Sequence, residues 1–181
     1  MKEGKMEKVQ AIAQNEQFIK YFSIHYKLLI SRYMKYKELD KINNEDIDVG
    51  TYFDIIIVQL RALCIESPHL QNNYTVQTVL RRIGKEEYAD RIDKMLDQQF
   101  MPGVNCRTGE FFTTRKALKM LADKFICHYD NFDGSNSDGW GLGLAIEKRL
   151  MNPYNTPNLD TIMAEIVDCI YEAFDIPNIK E

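Results

Sequence analysis

The sequence predicts an all-α protein, an antiparallel bundle of about six helices. Three observations predict it. Apolar residues recur every three or four positions through most of the chain, as the buried stripe of a helix requires. No run of β-branched residues alternates with period two. Most connections between the periodic segments are short, which packs successive helices antiparallel. The chain has 181 residues, of which 45% are hydrophobic and 28% charged, enough apolar surface for one compact domain. No second domain is expected, and disorder throughout is excluded.

Residues 6–39 are predicted as one long helix or two collinear ones. Phe18, Phe22, Tyr26, Leu29 and Tyr33 form its stripe, with Lys20, Lys27, Lys35 and Lys37 largely off it. Asn43 to Gly50 is a polar, acidic connection. A second helix runs from about Thr51 to Glu66. Ile55, Ile56, Val58, Leu60, Leu63 and Ile65 make it apolar on most sides, so it belongs at the bundle centre. Ser67-Pro68 ends it, because proline lacks an amide and disfavours helix in the residue before it.

Asn73 or Thr75 caps a short helix through Val76, Val79 and Leu80, and Gly84 stops it. Glu86 to Phe100 is amphipathic, with Tyr88, Ile92 and Met95 at helical spacing, and Met101-Pro102-Gly103 breaks it. Residues 101–112 form a loop or a short hairpin turning at Arg107-Thr108-Gly109-Glu110. Thr113 or Thr114 caps a helix through Leu118, Leu121 and Phe125 to about His128. Residues 130–143 are rich in Gly, Ser, Asn and Asp and read as a flexible loop. Leu144 to Leu150 is helical up to Asn152-Pro153. Asn158 caps the last helix, which uses Ile162, Ile166, Ile170 and Phe174.

The net charge of -4 excludes a basic coat for nucleic acid over the whole surface, though not a local patch. No run approaches the roughly 20 apolar residues of a membrane span, so no membrane partner is expected. Met1 to Lys5 leads into polar sequence without the apolar core of a signal peptide. A cytoplasmic protein is therefore expected. Cys64, Cys106, Cys127 and Cys169 lie far apart with no C-x-x-C pair, which argues for free thiols rather than a zinc or redox site.

The segment with most chemistry is Leu121-Ala122-Asp123-Lys124-Phe125-Ile126-Cys127-His128-Tyr129-Asp130. It resembles the signature of the HEPN superfamily in its abortive-infection-type form. That signature has an arginine, a polar residue and then a histidine at the end of a bundle helix, followed by an aromatic residue and an aspartate. Asp123 matches the polar position and His128 the histidine, whereas the arginine position falls on Ala122. Leu60-Arg61-Ala62-Leu63-Cys64-Ile65-Glu66 and Asn73-Tyr74-Thr75-Val76-Gln77 also look like such proteins. The resemblance covers residues 15–130. It implies a phage-defence or toxin-system protein that cleaves RNA without metal or cofactor, or that only binds RNA or a nucleotide. It also implies a homodimer with two motifs facing one another.

Such cleavage needs proton transfer at the 2′-hydroxyl and the leaving oxygen, and cationic support for the phosphorane. His128 supplies a group that titrates near neutrality. Lys124, four residues before it, shares its face of an α-helix and offers a point charge in place of the absent guanidinium. Asp123, five residues before it, meets it only if the helix loosens. His128 equally continues the stripe of Leu118, Leu121 and Phe125, as a half-buried core histidine does. A non-enzymatic dimerising or partner-binding helical protein is the alternative reading.

Arg81, Arg82, Lys85 and Arg91 cluster around one helix junction. Arg81 and Arg82 are the candidate phosphate-backbone contacts, with Glu86, Glu87 and Asp90 screening them. Gly139-Trp140-Gly141-Leu142-Gly143 resembles the ATP-lid box of sensor histidine kinases, but too little strand sequence exists for that fold. Asp130, Asp133, Asn136 and Asp138 offer oxygen ligands without EF-hand spacing, so no metal site is assigned.

Overall fold

The computed structural model describes residues 16–42, 47–66, 75–104, 111–126 and 137–174. These are predominantly helical, with one two-stranded sheet among them. The chain divides into two compact units, Met1–Lys85 and Glu86–Glu181.

In the first unit, α1 spans Glu16–Ile42 and α2 spans Ile47–Leu60. Helix α1 buries Tyr26, Leu29 and Tyr36, while Tyr33 is only half-buried. The stripe therefore passes through Tyr36 rather than Tyr33, because a seven-residue step from Leu29 closes two helical turns. Tyr33 stacks on Tyr36 at 6.5 Å, and Tyr36 meets Phe53 of α2 at 6.2 Å with the rings tilted by 48°. Both are favourable aromatic geometries. Helix α2 starts four residues earlier than its apolar pattern suggests. Asp48 in its first turn faces the positive end of the helix dipole, and Thr51 Oγ1 donates to the Ile47 carbonyl at 3.0 Å. It buries Val49, Phe53, Ile56, Ile57 and Leu60.

Past Leu60 the hydrogen-bond ladder widens into a π turn over Arg61–Ile65, and Glu66 leaves it extended at φ -55°, ψ 143°. Helix α3 spans Val76–Arg82. Of its two expected caps Thr75 serves, its hydroxyl accepting from the Thr78 amide at 3.3 Å. The far end is a Schellman stop. Gly84 takes φ +72°, its amide donates to the Arg81 carbonyl at 3.1 Å, and the Lys85 amide reaches Leu80 at 2.8 Å. Position 84 needs glycine for that left-handed backbone.

In the second unit, α4 spans Glu86–Leu96 and α7 Leu159–Phe174, and the two pack together. Ala89, Ile92 and Leu96 are buried on α4, and Ile162, Ile166, Cys169 and Ile170 on α7. The helix expected through Phe100 ends at Leu96. Strand β1, Gln99–Val104, replaces its end and pairs antiparallel with β2, Phe111–Thr113. Gln99 lies opposite Thr113 and Val104 opposite Phe111, with the register shifting between them. Phe100 follows Leu96 by four residues, so its spacing also suits a helix; strand pairing and its contact with Phe112 at 6.4 Å decide otherwise. The hairpin reading of this region therefore holds, and its expected turn at residues 107–110 lies outside the described residues.

Helix α5, Thr114–Met120, continues as a second π turn over Leu121–Ile126. Helix α6 spans Ser137–Met151, so residues 137–143, read from their glycines as loop, are helical; residues 130–136 lie outside the described residues. Each glycine in a helix costs about 1 kcal/mol relative to alanine. Here Gly143, Ile146 and Leu150 fall on one buried stripe, whose packing offsets that cost. The ATP-lid-like box is thus part of a helix, and the only described sheet has two strands.

Asn158 caps α7 as expected. Its Oδ1 accepts from the Thr161 amide at 2.8 Å, and its own amide donates to Thr161 Oγ1 at 2.9 Å, a reciprocal cap. Its Nδ2 also donates to the carbonyls of Asn152 and Pro153, holding the turn between α6 and α7.

Candidate functional site

The expected site begins at the entry to α5. Thr113 is the cap that serves, its hydroxyl accepting from the Lys116 amide at 3.3 Å. Arg115 then clamps the helix to α4, donating to Asp93 at 2.8 Å and to Asp97 at 2.8 Å. These bonds raise the Arg115 pKa against the opposing effect of its burial. Ala117, Leu118, Leu121 and Ala122 form the buried side of the segment. The residue run from 121 to 126 then leaves α-helical register, which sequence periodicity did not foresee.

Within this π turn Asp123 is partly exposed. Ala122, at the position matching the family's arginine, is 0% exposed. An arginine at this position would point into hydrocarbon rather than toward a phosphate. Lys124 follows on the same turn, and His128 lies outside the described residues.

The geometry of a π turn bears on the spacing of this segment. Its hydrogen bonds join residues five apart instead of four, so residues i and i+5 come to share a face. The first π turn shows the consequence: Arg61 Nη1 bonds Glu66 Oε1, five residues on, at 3.1 Å.

Arg81 and Arg82 are exposed in the last turn of α3, where the helix dipole favours cations. Arg91 is held within the second unit. Its guanidinium donates to Glu165 at 3.1 Å and Glu172 at 2.7 Å and lies 5.8 Å from the centre of the Tyr88 ring. The bond to Glu172 chiefly holds its pKa above the ordinary arginine range. Arg91 borders a groove of about 360 Å³, lined also by Lys94, Gln98, Thr161 and Glu165. Cys169 donates to Glu165 at 3.6 Å, and burial pushes its thiol up to about 12, against the lowering effect of Arg91. The pairing of Arg91 with Glu165 and Glu172 across 74 and 81 residues was not legible in the sequence.

Cys64 is likewise a buried free thiol, as its apolar context predicts. No described helix is long and apolar enough to cross a membrane. Comparison of the chain with protein-family models, curated proteins and solved structures finds no match.

Proposed function

We propose that this chain is a HEPN-like helical protein of phage defence or a toxin system that acts on or binds RNA, as a cytoplasmic homodimer. The observation that carries the reading is the π turn at Leu121–Ile126 with Asp123 partly exposed on it. It supplies the loosened helix end that a pairing between Asp123 and His128 requires. In this reading His128 exchanges protons with the 2′-hydroxyl or leaving oxygen, Asp123 orients its ring, and Lys124 supports the phosphate. Arg81 and Arg82 supply further contacts to the backbone of the polynucleotide. No metal or cofactor enters this chemistry.

Incubation of purified protein with RNA tests the proposal. Wild-type protein shortens or retains the RNA, and His128→Ala abolishes cleavage or weakens retention at least tenfold. RNA neither cut nor bound by the wild type, or handled equally by the variant, defeats it.

The sealed environment of Ala122 favours a second reading, a dimerising or partner-binding protein without catalysis. It lacks the bidentate phosphate contact that arginine provides. This reading expects the same incubation to leave RNA unchanged, with function in cells insensitive to His128→Ala.

A further inference from the structure

The first π turn has a lock of its own. The last carbonyls of a helix lack partners within it and are costly to bury unpaired. The Cys64 carbonyl is in this position, and the Gln77 Nε2 amide donates to it at 2.8 Å from α3. Gln77 is buried, although glutamine is ordinarily a surface residue. Its own helix is fixed at both ends by the Thr75 cap and the Schellman stop at Gly84. The donor is therefore presented from a rigid element at one position along the turn.

We infer that the end of α2 is a two-register element and that the Gln77 amide selects its π register, thereby keeping the Arg61 guanidinium paired with Glu66. In an α register residues four apart stack, so Arg61 would lie over Ile65. Glu66 would be displaced by one residue, roughly 100° round the axis. The Cys64 carbonyl would turn away from Gln77 by a similar angle. The side-chain bond of Arg61 to Glu66 and the buried bond of Gln77 to Cys64 thus both report one register. Gln77 is a positioning residue for the charge of Arg61.

Nuclear magnetic resonance on the full chain tests this. In the wild type, proton contacts should join Arg61 to Glu66; contacts of Arg61 only to Ile65, as in an α-helix, overturn the inference without any variant. Amide exchange at residues 64–66 is then compared in Gln77→Leu, Arg61→Ala and the double variant. Gln77→Leu should accelerate exchange about tenfold, the scale of one net hydrogen bond. The double variant should exchange no faster than Gln77→Leu, because a lost register cannot be lost twice. Unchanged exchange in Gln77→Leu, or acceleration factors that multiply in the double variant, overturns it. The solvent-side Arg61→Ala variant and the wild-type contacts keep the test available if Gln77→Leu does not fold. None of these readouts depends on RNA, so the register can fail or hold independently of the proposed function.

Discussion

Arg115 and Asp97 meet at 2.8 Å across 18 residues of chain, and the same guanidinium holds Asp93 at 2.8 Å. Strands β1 and β2 lie between the partners. The ion pairs and the bond from the Thr114 amide to the Gln98 carbonyl at 3.0 Å close the base of the hairpin. The clamp sets where α5 starts relative to α4, and hence where the π turn that follows it falls. Exposed pairs contribute well under 1 kcal/mol, but a part-buried forked pair in a network contributes toward the top of the range. Arg115→Ala is expected to cost about 1 kcal/mol, lowering the melting temperature by about 2–4 °C for a chain of this size. Arg115→Lys, lacking the planar fork, should recover only part of it. Calorimetry of the three proteins checks the order.

Placing arginine at position 122 is expected to damage the fold. Ala122 has no exposed surface, so Ala122→Arg overfills the core and buries a charge without a partner. The expected loss is about 3–5 kcal/mol, read from the denaturant midpoint. A variant as stable as the wild type would show that this side of the turn opens to solvent.

Asn158 makes its reciprocal cap with Thr161 and two further bonds to the turn before α7. Asn158→Ala is expected to cost about 2 kcal/mol, the upper end for a lost cap, because the turn bonds go with it. Asn158→Asp keeps the acceptor for the Thr161 amide but loses the Nδ2 donor, and should fall between. Urea denaturation with an unchanged slope establishes the ranking.

The Cys169 thiol, pushed up to about 12 by burial, should resist alkylation in the native protein at neutral pH and react once urea exposes it. Peptide mass spectrometry resolves it from the other cysteines. The sign for stability follows from linkage. A thiol with its native pKa above the ordinary 9.0 holds its proton more tightly folded than unfolded. Its contribution is intact below pH 9 and is lost as pH rises from 9 toward 12. Replacement by Ser or Ala should flatten that decline, whereas an unaltered alkaline profile would contradict it.

Local signals in this sequence were legible because their physics is local. Thr75, Thr113 and Asn158 bond amides three residues away, and Gly84 relaxes a backbone angle, so residue type and position suffice to place them. The helical stripes of α4 and α7 follow in the same way from the period of the helix, whereas α2, read as apolar on most sides, buries one face that includes Phe53 and Ile57 and leaves Ile55 and Val58 half-buried. The candidate site was legible only in part. Asp123 and Lys124 lie in the π turn after α5, whose register is not encoded by any apolar period.

By itself the sequence determined the helical class, most helix ends and the free buried thiols, since each depends on neighbours within a few residues. Tertiary structure alone decided the rest. Phe100 became strand because β2 was there to pair with it, and residues 137–143 became helix because Gly143 joins a buried stripe. Arg91 was paired with Glu165 and Glu172, and Gln77 with a carbonyl 13 residues before it. In each case the competing local options differ by about 1 kcal/mol, so the partner that folding brings near fixes the outcome.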